Sequence, residues 1–305
     1  MGKYIISRKK IKKTIIRLAV ISVIALITVV IAVVIAIRRK DLMSSERASS
    51  PVYARLGDVK VPIIMYHSIL SDPTLAGDYV LSPSVLEDDI RGLKAEGFTF
   101  VSLKMLSDYC KGTAELPVKP IVLTFDDGHY NFMTNVLPLL EKYDICASLS
   151  VVGRFTEAAG EEAYPSEAYS YLDVDNLNKL LSSGRIELVN HSYNMHSLEN
   201  RRGTMQLSTE SFEEYRRNLL NDTYEAQRFF SDNCGVTPEA YAFPFGLNCK
   251  AGRTVISMCS FNAVLGVEEK VNIISKGNPE SLFMLGRFNR PSGISTEDFI
   301  RRICQ

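Results

Sequence analysis

The 305-residue chain carries 35 Lys or Arg against 35 Asp or Glu and is 46% hydrophobic, enough for one large domain or two small ones. The balance is uneven, because the first 40 residues hold ten of the cations and none of the acids, leaving 25 cations against 35 acids in the rest. An acidic body argues against a nucleic-acid partner, whose phosphates are bound by cationic neutralisation.

From Leu18 to Ile37 the chain reads "LAVISVIALITVVIAVVIAI", 20 residues without a charge. At about 1.5 Å rise per residue such a helix spans a hydrocarbon core of about 30 Å. A cleaved signal peptide would have an apolar region of about 7–15 residues and a small-x-small cleavage site. This run is longer and ends in Ile37-Arg38-Arg39-Lys40, which predicts an uncleaved transmembrane anchor. Seven basic residues precede it and three follow. The positive-inside rule then places residues 1–17 in the cytoplasm and the body outside the cell, as a single-pass membrane protein. Residues 38–58, rich in Ser and charge and without periodicity, read as a stalk, and 59–305 as one catalytic domain.

"VPIIMYHSI" (61–69) predicts a strand carrying His67. "SPSVLEDDIRGLKAEG" predicts a helix, with Pro83 near its start, a capping box Ser84…Glu87, and Leu86, Ile90 and Leu93 at helical spacing. Strands are expected again at "FTFVSL", "IVLTFDD", "ASLSVVG", "RIELVNHS", "AYAFPF", "FNAVLGV" and "SLFMLGRF". Helical segments around 131–143, 175–183, 208–232 and 250–259 separate several of them. This alternation implies a parallel sheet with crossover helices, either a barrel or an open doubly wound sheet. The six cysteines have no metal-like spacing; Cys146 reads as a small core residue, and Cys234 with Cys249 is a candidate bridge.

In parallel α/β architectures chemistry sits at the C-terminal ends of the strands. His67, Asp126, Asp127 and His191 all fall at such ends, and His196 lies five residues beyond His191. Asp127, His191 and His196 offer one carboxylate oxygen and two imidazole nitrogens, a set suited to Zn²⁺ or a neighbouring divalent metal. On one helix the i, i+5 spacing of "HSYNMH" would set the two rings about 140° apart, so both reach one ion only across a turn. On spacing alone, two polar loop histidines explain the pattern equally well. The adjacent carboxylates of "LTFDDGH" add weight. If Asp127 ligates a cation, Asp126 stays ionised beside it and is free to take a proton from water. Gly128 allows the sharp turn that brings neighbouring side chains to one site. The bland alternative is a solvated Asp-Gly turn, which the apolar lead-in "IVLTF" disfavours.

"TFDDG", "HSYNMH" and "YAFPFG" resemble the first three motifs of the polysaccharide deacetylases with a NodB-homology domain (carbohydrate esterase family 4), over most of 60–295. The resemblance implies an α/β fold, a distorted (β/α) barrel, and removal of N-acetyl groups from N-acetylglucosamine units of a cell-surface polysaccharide. It implies Asp126 as catalytic base and Asp127, His191 and His196 as ligands of a divalent metal, Zn²⁺ first, with Co²⁺, Ni²⁺ or Fe²⁺ as alternatives. The chain departs from the common pattern in three ways. Met195 stands where the second motif's histidine usually lies, Ala242 where the third motif's arginine lies, and no histidine follows His196. These departures resemble the branch acting on poly-N-acetylglucosamine, which maps the general acid onto His67. The backbone N–H of Phe245, beside Pro244, resembles the family's oxyanion donor. Arg287 or Arg290 of "GRFNR" would replace the missing arginine, although surface salt bridges explain them nearly as well. His129 reads as a rim residue, and Tyr66 and Tyr193 as groove-lining or core residues. Peptidoglycan is the alternative substrate, and a catalytically inactive carbohydrate-binding module or a protein-binding scaffold the alternative functions.

Overall fold

A strand buried at every position needs cover on both faces, and Pro120–Phe125 and Ala147–Val151 are buried throughout. A computed structural model, which describes residues 57–304, shows how that cover is built. The strands are β1 Asp58–Val61, β2 Ile63–Tyr66, β3 Ser68–Ile69, β4 Val80–Leu81, β5 Thr99–Phe100, β6 Pro120–Phe125, β7 Ala147–Val151, β8 Ile186–Asn190, β9 Ala240–Ala242, β10 Ala263–Leu265, β11 Asn272–Ser275, β12 Phe283–Leu285 and β13 Phe288–Asn289. Nine form one sheet in the order β12-β10-β9-β8-β7-β6-β2-β13, with β5 beside the start of β6. Every pairing in it is parallel. The strands at its two ends, β12 and β13, are separated in sequence only by Gly286 and Arg287. The segment Phe283–Asn289 therefore pairs with β10 through Phe283 and with β2 through Phe288. A sheet whose two edges share one short segment must curl back on itself. That is the expected barrel, distorted at this seam.

Side chains alternate across the sheet with a period of two. Ile64, Leu123, Phe125, Leu149, Val151 and Leu188 face outward into a cluster shared with the helices. Ile63, Val122, Val189, Ala242, Leu265 and Leu285 belong to an inner cluster. Burying each large aliphatic side chain contributes about 1.5–3 kcal/mol. Along the same inward phase stand the buried polar residues Thr124, Asp126, Ser148, Ser150 and His191. The inner face is thus apolar in its middle and polar toward the strands' C-terminal ends.

Local chemistry sets the helix boundaries. Ser82, rather than Ser84, caps the helix Pro83–Ala95, accepting from Val85 N–H with Pro83 in the first turn. The reciprocal capping box lies instead at Ser211 and Glu214, opening the 23-residue helix Phe212–Cys234. The "FTFVSL" strand is shorter than expected, because Ser102 caps a helix Leu103–Lys111. Glu187, on β8, accepts the N–H groups of Leu103 (2.9 Å) and Lys104 (2.8 Å) at that helix's start. The 61–69 strand is interrupted at His67, after which β3 leaves the sheet to pair with β4. The anchor expected at 18–37 lies outside the described residues. Among those described, no helix is long and apolar enough to cross a membrane.

Candidate metal and active site

β6 ends at Phe125, and the next three residues set the site. Asp127 and Gly128 both take left-handed backbone, each with φ 75°. Asp126 therefore continues the inward phase of the strand while Asp127 is turned to the same cleft. The left-handed cost falls on a non-glycine residue, a kind of strain that clusters at functional sites.

β8 ends at Asn190 and delivers His191, 1% exposed. Ser192 is left-handed (φ 73°), which supplies the turn that the i, i+5 spacing requires. His191 Nε2 lies 3.4 Å and His196 Nε2 3.0 Å from Asp127 Oδ1. One ligand atom from each of the three residues falls within 4.8 Å of the other two. His191 Nδ1 is 2.9 Å from Ala242 O. Donation to that carbonyl assigns the proton to Nδ1 and directs the Nε2 lone pair to the cluster, the arrangement found around metal-ligating imidazoles. The donor set therefore fits a divalent first-row ion, with coordination positions left over for small ligands.

Asp126 is 3% exposed. Arg287, wholly buried, donates through Nη1 to Asp126 Oδ1 (2.8 Å) and Thr124 Oγ1 (3.2 Å), and through Nε to Gly266 O (2.8 Å). Burial alone would raise the pKa of Asp126, but Arg287, His191 and His67 outweigh it and hold the carboxyl at about 2. Burial also opposes ionisation of Asp127, yet His129, His191 and His196 keep it well below the usual carboxylate range. His191 is raised: burial would lower it, and the two aspartates prevail. Burial lowers His67 against the pull of Asp126 and Asp127. Its Nδ1 is buried without a hydrogen-bond partner among the described residues, which leaves Nε2 as the nitrogen able to serve the cleft.

These groups open into a cavity of about 860 Å³. It is walled by residues that sequence reasoning did not single out, among them Tyr79, Tyr169 and Arg202. Tyr79 sets its ring edge-on to His67, centroids 4.7 Å apart. Tyr79 and Tyr169 are exposed loop aromatics, and no periodicity in the sequence marks them. Phe245 also lines the cavity, left-handed at φ 55°, its ring centroid 4.1 Å from that of His196. Pro244 is buried at the start of that turn. His129, expected at the rim, lies deeper: its Nε2 is 3.4 Å from Asp127 Oδ2, the oxygen that His191 and His196 leave free.

The structure decides four readings that the sequence left open. Arg290 does not reach Asp126; it donates to both oxygens of Asp89 (2.8 and 3.0 Å), wholly buried. Tyr193 is not among the cavity-lining residues, since its hydroxyl donates to Glu157 (2.8 Å). Tyr66 is core, stacked on Phe125 at 5.0 Å and donating to Asp89. Cys234 and Cys249 do not pair; both are free, and Cys249 Sγ instead caps the helix Lys250–Ser257.

Residues 113–264 match the family model described as Polysaccharide deacetylase. The chain is 24% identical over 194 residues to the poly-beta-1,6-N-acetyl-D-glucosamine N-deacetylase of Staphylococcus aureus (strain MRSA252), a match covering 63% of each chain. It therefore spans under two thirds of the length of that relative. Among solved structures it is similar to a de-N-acetylase from Aggregatibacter actinomycetemcomitans, with a TM-score of 0.65 at 20% identity over 79% of this chain and 100% of that one. It is also similar to the Streptococcus pyogenes deacetylase PplD in complex with acetate, with a TM-score of 0.64 at 20% identity over 80% of this chain and 97% of that one. Likeness at this identity establishes a shared fold.

Proposed function

The chain carries a polysaccharide deacetylase domain, and from that premise we propose that it is a metal-dependent N-deacetylase of N-acetylglucosamine units in a cell-surface polysaccharide. The observation that carries this reading is the juxtaposition of two differently equipped carboxylates. Asp127 faces two imidazole nitrogens, and Asp126 is fixed by a buried arginine. The S. aureus relative's name favours poly-β-1,6-N-acetylglucosamine over peptidoglycan as the polymer. The uncharged run 18–37 would hold the enzyme on the outer face of the cell membrane.

Asp127, His191 and His196 would hold the ion, Zn²⁺ or a neighbour. When bound it supplies Lewis acidity toward the acetyl carbonyl and toward water. Asp126, ionised at neutral pH, accepts the proton of the attacking water. Arg287 keeps the carboxylate oriented and charged in a buried position. The Phe245 N–H, presented by the left-handed turn after Pro244, donates to the carbonyl oxygen as negative charge develops on it. His67, just after β2, donates through Nε2 to the leaving amine nitrogen in its protonated form, which Asp126 and Asp127 favour against burial. Acetate and a free amino sugar result.

The test is acetate release by the full chain, stripped of metal and reloaded with Zn²⁺ or Co²⁺. The substrates are poly-β-1,6-N-acetylglucosamine oligomers, chitin-type oligomers and peptidoglycan. Turnover should need the ion and be greatest on the β-1,6 polymer. Asp126→Asn should keep the metal and lose about 10²–10⁴-fold in kcat, whereas His191→Ala should lose both. A metal-loaded chain that releases no acetate from any of the three would overturn the assignment.

A further inference from the structure

A four-residue loop, Ser192 to Met195, joins the two ligand histidines, and a loop of that length has many shapes open to it. Every backbone N–H from 191 to 195 nevertheless has an acceptor. His191 donates to Val151 O (3.1 Å), Ser192 to Asn190 Oδ1 (2.9 Å) and Met195 to Ser192 Oγ (3.2 Å). The two central N–H groups, of Tyr193 (3.0 Å) and Asn194 (2.7 Å), each donate to one carboxylate oxygen of Asp222. Asp222 lies on the helix Phe212–Cys234, is 7% exposed, and takes no part in the chemistry above. The next residue on that helix, Thr223, accepts from Asn190 Nδ2 (3.1 Å), so the helix grips the strand end as well as the loop.

We propose that Asp222 is the positioning residue of the metal site, its two carboxylate oxygens holding the Tyr193 and Asn194 N–H groups so that His191 and His196 face Asp127 before any ion binds. The proposal rests on the metal-dependent reading above for its consequence, but not for its geometry. Hydrogen bonds to an ionised acceptor are roughly twice as strong as neutral ones, and two adjacent donors on one carboxylate fix both position and rotation of the peptide between them. The placement has a cost that a purely structural polar contact would not need. Burial is the largest influence on Asp222 and, with Glu225 on the same helix, outweighs the two N–H groups and Arg201, raising its pKa to about 6. Tyr241, on β9, also interacts with it.

Two measurements test this. Asp222→Asn replaces one oxygen by an NH₂ group, which sets a donor against the Tyr193 or Asn194 N–H. Co²⁺ titrated into the metal-free full chain, followed by its visible absorption, should bind about tenfold more weakly or worse, the scale on which outer-layer partners of metal ligands act. Ala226→Gly, which loosens the same helix one turn on and removes none of these hydrogen bonds, should keep wild-type affinity. A folded Asp222→Asn chain binding Co²⁺ within twofold of wild type would overturn the proposal. Amide exchange of the wild-type, metal-free chain is independent of any variant's folding. The peptide 191–196 should be protected, with Tyr193 and Asn194 slow to exchange; open-loop exchange that slows only when metal is added would show that the ion, not Asp222, shapes the loop. If wild type binds no Co²⁺ at all, the metal-dependent reading fails, while slow exchange at these two amides would still support the clamp.

Discussion

Asp126 is an ionised carboxylate in a place that should neutralise it, and Arg287 is the reason it survives. The pair is almost wholly buried, with side chains 0% and 4% exposed. Breaking such a pair by removing one partner costs about 3–5 kcal/mol, since the charge left behind has no compensation. Arg287→Met should therefore be destabilised by about that amount in urea melts at neutral pH. The pH dependence has a definite sign. Asp126 has a folded pKa of about 2, below the value of about 3.9 in an unfolded chain. Its stabilising contribution is thus complete above the unfolded value and is lost as pH falls through the folded one. The gap between wild type and Arg287→Met should narrow from about pH 4 downward. In the variant, burial acts unopposed by the arginine, so the acid limb of kcat/KM should move to higher pH. An unmoved limb would show that Arg287 does not set the ionisation of Asp126. At this scale much of the site is legible in the sequence. Asp126 and Asp127 are adjacent at the end of an apolar run, His191 ends another, and His196 lies five residues beyond it. Arg287 is legible only as one of two candidates 161 and 164 positions away from Asp126, because nothing local distinguishes it from Arg290. Tyr193 is misread because the left-handed Ser192 decides which way the loop's side chains turn, and serine does not announce that conformation.

The strand and helix scale shows what Arg290 does instead. With Asp89 it ties the segment after β13 to the helix Pro83–Ala95, while Tyr66 (3.1 Å) and Thr296 (2.6 Å) also donate to the Asp89 carboxylate. The guanidinium rests over the Phe299 ring at 4.8 Å, on the helix Thr296–Ile303. Stretches 201 residues apart thus meet on one buried ion pair, three residues after the arginine that serves Asp126. Arg290→Met should cost about 3–5 kcal/mol while leaving Co²⁺ affinity near wild type, so the two arginine variants separate folding from the site. Equal losses of Co²⁺ affinity in both would contradict this division. Strands β6 and β8 are readable because each runs through apolar residues into polar ones, and β7 because its only polar residues are two small serines, patterns that suit a sheet covered on both faces. "FTFVSL" misleads for a physical reason. Its apolar alternation is real for two residues, after which Ser102 offers its hydroxyl to Met105 N–H and the chain becomes helix. The antiparallel pairing of β1 with β11 is hidden altogether, since register between strands more than 200 residues apart leaves no local trace.

Across the whole molecule, the ion would be a cross-link between elements that the sheet already brings close. Asp127 follows β6, His191 follows β8, and His196 lies beyond a further turn held by the helix Phe212–Cys234. No such site exists in an unfolded chain, so an ion that binds the native state alone must stabilise it. At a free concentration one hundred times Kd the gain is about 2.7 kcal/mol. For a domain of this size that raises Tm by about 5–10 °C, at about 2–4 °C per kcal/mol. Calorimetry of the full chain in chelator and then in excess Zn²⁺ should show that rise. The ligands must shed protons to bind, and Asp127 holds His191 protonated more firmly in the metal-free protein. The rise should therefore be smaller at pH 6 than at pH 8. His191→Ala should abolish it. Arg290→Met should melt lower at every condition yet keep the same increment, because its loss falls on a part of the fold that the ion does not bridge. An increment that vanished in Arg290→Met would mean that the metal site and the Asp89 cluster form one cooperative unit, contrary to the separation their contacts describe.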